Sequence, residues 1–328
     1  MENGNVSTVT QFIFTGFPQL HDGGLLYFFP LLFIYSFIVI GNLIIFFAIR
    51  MDLRLHNPMY NFISLFSFLE MWYSTTTIPK MLSNLINREK TISYIGCLLQ
   101  MYFFHSLGSS EGVLLMVMAI DRYIAICSPL HYPIIMTPQL CVQLSAGSCV
   151  FGFLILLPEI VWISTLPFCG SNQIHHIFCD FTPLLNIACM DGSVSFVQDV
   201  IHAISLLTTT LIISLSYIRI IIVILNIPSV EGRKKAFSTC AAHIAVFVLF
   251  FGSVDLMYLR FSVTYTPFWE TTIAFTFAVL APFFNPIVYS LRNKEMKEAI
   301  KKLLCSLKVT SENHISNLKL GNSINLIL

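Results

Sequence analysis

The chain has 328 residues, of which 56% are hydrophobic and 11% are charged, and its formal net charge is +1. A soluble globular domain carries about 25% charged residues, so the composition excludes an ordinary soluble domain and predicts a membrane protein. The small net charge gives no reason to expect a nucleic-acid partner. The nine cysteines are an odd number, so at least one thiol is left unpaired.

Seven apolar segments are each long enough to cross, as a helix, a bilayer core of about 30 Å. Four of them contain no Asp, Glu, Lys or Arg, and the other three contain one acid each, Glu70, Glu111 or Glu159. The predicted fold class is an all-α membrane protein, a seven-transmembrane helix bundle in one receptor domain (25–291). The predicted helices cover residues 25–49, 58–82, 96–126, 140–166, 197–225, 236–260 and 271–291.

The basic residues predict the orientation, because lysine and arginine are concentrated in cytoplasmic loops. With the amino terminus outside, only Lys80, Arg88, Lys90 and Arg260 fall on the outer side. Residues 1–24 are then an extracellular segment, and the Asn5-Val6-Ser7 sequon becomes an N-glycosylation site. The expected location is the plasma membrane, which the chain crosses several times.

After the last apolar segment, apolar residues recur at helical spacing with lysines on the opposite face. This pattern predicts a short amphipathic helix over 292–308, lying in the inner membrane surface. A polar cytoplasmic tail over 309–328 follows it.

One charged pair stands in an otherwise apolar stretch, "LMVMAIDRYIAIC" at 115–127. Asp121 and Arg122 are costly in such surroundings and mark either the membrane–water interface or a working site. With the amino terminus outside, they fall at the cytoplasmic end of the third helix. The residues alone leave both interpretations open.

Four blocks on four different helices resemble the signature of odorant receptors, a branch of the rhodopsin-like (class A) G-protein-coupled receptors, and the resemblance covers roughly residues 10–305. These blocks are "LHNPMYNFISLFSFLEMW" at 55–72, "MAIDRYIAICSPLHYPIIM" at 118–136, "KAFSTCAAHIAVFVLFFGS" at 235–253 and "PFFNPIVYSLRNKEMKEAI" at 282–300.

The resemblance implies a switch that faces the G protein. In it, Arg122 opens toward the G protein in the active state, and Asp121 holds it in the resting state beside Tyr123. The resemblance further assigns to the inner switch of the seventh helix the residues Asn285, Pro286 and Tyr289, with Tyr217 of the fifth helix as the partner. Pro286 removes one backbone hydrogen bond, which suits a bending point.

The chain also departs from related patterns. Many members of the resembled family have tyrosine where this chain has Phe251, so a hydroxyl that would relay ligand contact is missing. The seventh helix has no lysine for a retinal Schiff base. Phe104 occupies the position at which amine receptors carry aspartate, which argues against a monoamine ligand.

Glu70 and Glu111 are predicted at similar depth near the bilayer midplane, counting 1.5 Å of rise per residue. The resemblance implies a sodium-type ion site formed by both acids with Asn42 and Asn285. The alternative is two protonated acids that are hydrogen-bonded to their neighbours. No other cofactor is expected.

The longest outer loop contains three cysteines, and a fourth begins the third helix. The resemblance implies the disulfides Cys97–Cys179 and Cys169–Cys189. A metal site with His175 and His176 is the alternative, but its ligand spacing matches no strong zinc pattern.

A ligand pocket is expected between the outer halves of the third, fifth, sixth and seventh helices. Ordinary helix packing is the alternative for every residue assigned to it. We expect Asp255 to pair with His105 or His202, and the alternative is a solvated acid near Arg260. The predicted lining is Phe104, His105, Gly108, Ser109, Gly112, His202, Ser205, Leu206, Phe251, Val254, Asp255, Tyr258, Phe275 and Ala278.

These features predict an odorant receptor that binds a small, mostly hydrophobic volatile and activates a stimulatory G protein, raising cyclic AMP. A related receptor for a metabolite outside the nose stays open. A transporter or channel is disfavoured because the chain has neither inverted repeats nor a continuous polar path. No enzyme is expected, since the "GSSEG" match to a nucleophile elbow at 108–112 lies inside an apolar helix.

Overall fold

The computed structural model describes residues 9–16, 24–168, 171–189, 192–259, 266–292 and 294–306. Most of these residues are helical. Two short connections are a 3-10 turn, Leu53–Leu55, and a π-helical turn, Thr276–Leu280. The α-helices are α1 Gly24–Met51, α2 Pro58–Ile86, α3 Tyr94–Cys127, α4 Tyr132–Ile135, α5 Pro138–Ser164, α6 Phe181–Leu185, α7 Gly192–Leu225, α8 Val230–Tyr258, α9 Pro267–Phe275, α10 Ala281–Arg292 and α11 at 294–306.

The starts of several spans are fixed by local capping. The side-chain oxygens of Asn57, Ser93, Thr137 and Ser229 each accept a hydrogen bond from a backbone N–H in the first turn of the helix that follows. Such caps satisfy donors that have no partner inside the helix. In α2 and α5 the next residue is proline, whose missing N–H costs nothing at the first helical position.

The spans form a seven-helix bundle of α1, α2, α3, α5, α7, α8 and the continuous run α9–π turn–α10. Within the described part of the chain, five helices are long and apolar enough by themselves to cross a membrane. The two that fall short are α2 and α8, which carry more polar residues. The seventh span begins at Pro267, four residues before the predicted start.

The third span is the centre of the bundle. α3 packs against α2, α5, α7 and α8, while α1 packs against α2 and α10. Tyr73 of α2 stacks on Phe104 of α3, with ring centroids 4.6 Å apart, and Phe277 of the π turn meets both rings edge-on. The position of a residue on α3 therefore determines whether its side chain reaches the interior of the bundle.

One end of the bundle carries a small sheet that the sequence analysis did not predict; we call it the sheet end. β1 (Gln11–Phe14) lies between β2 (Thr91–Ser93), which is antiparallel to it, and β3 (Gln173–Ile174), which is parallel. Phe12 and Phe14 of β1 are buried in a second apolar cluster with loop residues. The sheet therefore joins the segment before α1 to the loop between α2 and α3 and to the loop between α5 and α6.

The opposite end, which we call the Arg122 end, joins the first loop to α11. Arg54 bridges Asp52 (2.8 Å) and Glu298 of α11 (3.2 Å), and the Tyr60 hydroxyl donates to Glu295 (2.9 Å). The hydrogen bonds from Arg54 hold the pKa of Asp52 at about 2, so this carboxylate stays ionised at neutral pH. Met296 and Leu303 are buried, so α11 lies with one apolar face on the bundle.

Candidate functional site

A cavity of about 880 Å³ lies in the half of the bundle nearer the sheet end, between α3, α5, α7 and α8. Most of the side chains predicted for the pocket surround it. Those that line the cavity are Phe104, His105, Gly108, Ser109, Gly112, His202, Ser205, Leu206, Phe251, Val254 and Tyr258.

Three predicted residues, Asp255, Phe275 and Ala278, are not among the lining residues. The cavity is instead completed by a larger set that includes residues of α5 and the first residue of α6. The additional lining residues are Val113, Phe151, Ile155, Leu156, Pro158, Glu159, Trp162, Phe181, Ile201, Thr209, Phe250 and Phe277.

Two glycines in the middle of α3, Gly108 and Gly112, give the cavity its width. A Cβ atom on Gly108 would lie 3.4 Å from the Tyr73 ring, and one on Gly112 would lie 3.6 Å from Phe250 and from Phe251. A methyl group fits at either position, but any longer side chain at Gly112 meets the two phenylalanine rings or enters the cavity. The helical spacing of these residues on one face of α3 brings both glycines to the same wall.

A buried carboxylate joins the loop to the cavity wall. Asp180 accepts hydrogen bonds from His105 Nε2 (2.9 Å), from the Tyr258 hydroxyl (3.1 Å) and from the Phe181 backbone N–H (2.8 Å). Burial raises the pKa of Asp180, but the hydrogen bond and charge of His105, together with His176 and the Phe181 backbone N–H, lower it to about 2. Asp180 therefore remains ionised at physiological pH and fixes His105 and Tyr258.

The prediction that Asp255 pairs with His105 or His202 was wrong. His105 pairs with Asp180 and His202 with Glu159, while Asp255 Oδ2 accepts a hydrogen bond from the Thr210 hydroxyl of α7 at 3.3 Å. The cause is the relative rotation of α7 and α8, which places Asp255 against Thr210. Helical spacing within α8 contains no information about that rotation.

A second acid–histidine pair crosses from α5 to α7. Glu159 Oε2 lies 3.1 Å from His202 Nε2, and both residues line the cavity. In the sequence, Glu159 stands out only as the single acid of its apolar segment. Its isolation in that segment was the signal that could have placed it in a site, since an intramembrane acid is a functional candidate by default.

The mid-bundle acids are close together. Asn285 Nδ2 donates to Glu70 Oε2 (2.8 Å), and Glu111 lies near enough to Glu70 for their charges to interact. Asn42 donates to the Ile38 carbonyl of its own helix (3.0 Å). Among the described residues, no cluster of three or more His, Cys, Asp or Glu side chains is placed to hold a metal ion.

At the Arg122 end, Asp121 and Arg122 form an ion pair that is partly shielded from solvent. Arg122 Nη2 lies 3.3 Å from Asp121 Oδ2, and the Tyr132 hydroxyl of α4 donates to Asp121 Oδ1 at 2.7 Å. Tyr217 and Tyr289 are buried nearby, whereas Tyr123 is exposed. Asp121 is therefore held by both Arg122 and Tyr132, and the ion-pair partner of Arg122 is its own neighbour on α3.

Pro286 packs at a close approach of two spans. A Cβ atom on Gly41 of α1 would lie 3.1 Å from the Pro286 ring. Because this contact is tighter than most, a larger residue at Gly41 would displace α10 at the point where proline already weakens the helix.

The predicted disulfide Cys97–Cys179 is confirmed and ties the start of α3 to the loop. Gln100 supports it, since its side-chain oxygen accepts the Cys179 backbone N–H at 3.0 Å. Cys189 is also disulfide-bonded. Its predicted partner Cys169, the sequon at Asn5 and the tail at 309–328 lie outside the described residues.

Comparison with known proteins gives a consistent result. The family model described as "Olfactory receptor" matches residues 31–307. The chain is 71% identical over 312 residues to Olfactory receptor 6K3 of Homo sapiens, covering 95% of this chain and 94% of that protein. It is 65% identical over 301 residues to Olfactory receptor 6K6 of Homo sapiens (92% and 88% covered) and 44% identical over 301 residues to Olfactory receptor 6B9 of Mus musculus (92% and 95%).

Proposed function

Because the chain belongs to the olfactory receptor family, a family of receptors and not of enzymes, we propose that its cavity binds a small, neutral, mostly hydrophobic volatile. Binding activates a stimulatory heterotrimeric G protein at the Arg122 end and raises cyclic AMP. The observation that carries this proposal is the 880 Å³ cavity with its largely aromatic and aliphatic walls. Its volume falls within the range of about 300–1,000 Å³ found for small-molecule sites.

The charges beside the cavity favour a neutral ligand. Two carboxylates there are paired with histidines, Asp180 with His105 and Glu159 with His202. A charged ligand would have to break one of these pairs, and leaving a buried charge without its partner is costly. Hydroxyl groups such as Ser109 then supply one or two hydrogen bonds, and apolar contact supplies the remaining affinity. For a ligand of about ten heavy atoms, this gives a dissociation constant in roughly the micromolar range.

We place the sheet end outside the cell. The distribution of lysine and arginine supports this orientation. The disulfides at the sheet end support it too, because disulfides persist in oxidising compartments. The Arg122 end then faces the cytoplasm, where the G protein is.

A cyclic AMP reporter assay in cells, screened against a broad odorant panel, tests the proposal. Gly112→Leu fills the cavity beside Phe250 and Phe251, and we expect it to lower the potency of activating odorants at least about tenfold. Gly147→Leu is the matched control, because a Cβ atom there meets nothing within 4 Å on the outer face of α5.

Surface delivery is read with an amino-terminal tag on intact cells, which also checks the orientation. Equal potency of Gly112→Leu and Gly147→Leu, both delivered normally, would place the ligand elsewhere.

A further inference from the structure

We propose that the gap between α5 and α7 is a membrane-facing entrance, through which a neutral, lipophilic odorant passes from the bilayer into the cavity. The inference rests on the proposed function of the cavity and adds the route by which its ligand arrives. The route also selects among ligands, because it admits those that dissolve in the hydrocarbon of the bilayer.

The gap exists because these two helices share a neighbour, but their backbones do not pack closely against each other. α5 and α7 each pack closely on α3, and both contribute to the wall of the cavity. Where two walls of a cavity are not packed together, the space between them is open to the surroundings. In this bundle the surroundings at that position are lipid.

Side chains on both rims of the gap line the cavity and are also exposed on the outside. Phe151 and Ile155 of α5 are 51% and 53% exposed, and Ile201 of α7 is 61% exposed. Phe151 and Ile155 lie in the middle of a membrane-spanning helix, so their exposed faces meet acyl chains. A residue that faces both the cavity and the lipid marks an opening between them.

The sheet end offers no comparable opening in the described part of the loop. Phe178, Cys179 and Asp180 are buried over the cavity, and the disulfide to Cys97 anchors them. Phe178 packs on Phe104 with centroids 4.7 Å apart, and Phe181 packs on His105 at 4.2 Å. A ligand that approaches from water along this path must displace a covalently anchored segment.

The Glu159–His202 pair bridges the gap near its outer limit. Glu159 lies five residues before the end of α5, and Phe151 lies eight residues, or about 12 Å, deeper. The polar bridge therefore joins the rims beside Ile201, and the apolar part of the gap extends from that level to the depth of Phe151. Pro158 lacks a backbone N–H and weakens α5 beside the bridge, which allows this rim to move.

The chemistry of volatile odorants suits such a route. Each methylene group transferred from water to hydrocarbon favours the hydrocarbon about fourfold, so a chain of several carbons accumulates strongly in the bilayer. Entry from the lipid then draws on a concentrated pool, and the ligand does not need to be desolvated again at the cavity.

A photolabelling time course on the full chain in lipid nanodiscs tests the entrance. The probe is an eight-carbon alcohol carrying a diazirine, and mass spectrometry follows adducts on the cavity segment 104–113 after mixing. Ile201→Trp narrows the rim of the gap, whereas Ile204→Trp is the matched control, because Ile204 is also 61% exposed but does not line the cavity.

We expect Ile201→Trp to lengthen the half-time of cavity labelling about tenfold, since narrowing a route slows entry and exit together. The final extent of labelling then measures how much of the cavity the tryptophan itself occupies, because Ile201 also lines it. Ile204→Trp should match the unmodified chain. If Ile201→Trp is poorly made, Ser205→Trp with Thr208→Trp as control gives the same comparison, because only Ser205 lines the cavity.

Three outcomes would overturn the entrance, and they differ in what else they reject. Equal labelling rates in Ile201→Trp and Ile204→Trp reject the entrance but keep the cavity as the ligand site. Adducts confined to rim residues mean that the probe stays at the lipid-facing surface of the gap and does not pass into the cavity. Absence of label from segment 104–113 in every variant rejects the entrance and the proposed ligand site together.

Discussion

Glu111 is a buried acid with unsatisfied oxygens, which points to a bound ligand at this position. Both of its carboxylate oxygens are buried and lack a hydrogen-bond partner among the described residues, and the same is true of Asn285 Oδ1. Glu70 lies beside them and accepts the Asn285 amide. Side-chain oxygens from two carboxylates and one amide fit a monovalent cation. We propose that Glu70, Glu111 and Asn285 bind sodium.

A bound ion predicts that sodium stabilises the receptor. Replacing choline chloride with sodium chloride at about ten times the dissociation constant should add about 1.4 kcal/mol to the free energy of unfolding. Glu111→Gln should remove this difference, whereas Glu159→Gln, on the cavity wall, should retain it. Melting of the purified receptor in the two salts measures the effect, and identical melting temperatures for the unmodified chain would leave two protonated acids as the explanation.

At the scale of elements, the Cys97–Cys179 bond holds the loop with Asp180 and α6 against α3. The loop in turn positions His105 and Tyr258 through Asp180. Cys97→Ser and Cys179→Ser should therefore each reduce surface delivery to a similar degree. The double variant should be no worse than either, because both substitutions remove one shared bond.

Flow cytometry of tagged receptor measures surface delivery of these variants. Cys149→Ser serves as control, since Cys149 is a free cysteine on α5. Losses that add in the double variant would mean that the two sulfurs act separately.

At the scale of the whole molecule, α3 connects the cavity to the charged pair. His105 and Arg122 are seventeen residues apart on one helix, or about 25 Å. Arg122→Ala should leave photolabelling of the cavity unchanged and abolish the cyclic AMP response, because it removes the group that faces the G protein in the proposed function. Arg50→Ala, which removes an exposed arginine from the same end, should signal normally.

Parallel labelling and reporter assays on the two arginine variants separate binding from signalling. A full cyclic AMP response from Arg122→Ala at normal surface density would refute the assignment of the switch.

The sequence by itself determined the spans, because a bilayer requires about 20 apolar residues in each helix and every backbone group to be bonded internally. It also placed one face of α3 at the cavity, since Phe104, Gly108 and Gly112 follow helical spacing. The disulfide Cys97–Cys179 and the family followed from the resemblance of motifs.

Only the tertiary structure decided what lies between helices. Periodicity orients a side chain about its own helix axis, but the rotation and spacing of two helices depend on all their contacts at once. Asp255 therefore bonds Thr210 and not a histidine, and Asp180 enters from a loop that has no period. For the same reason, α5 became a wall of the cavity, with Glu159 reaching His202 across the gap that its loose packing with α7 leaves open.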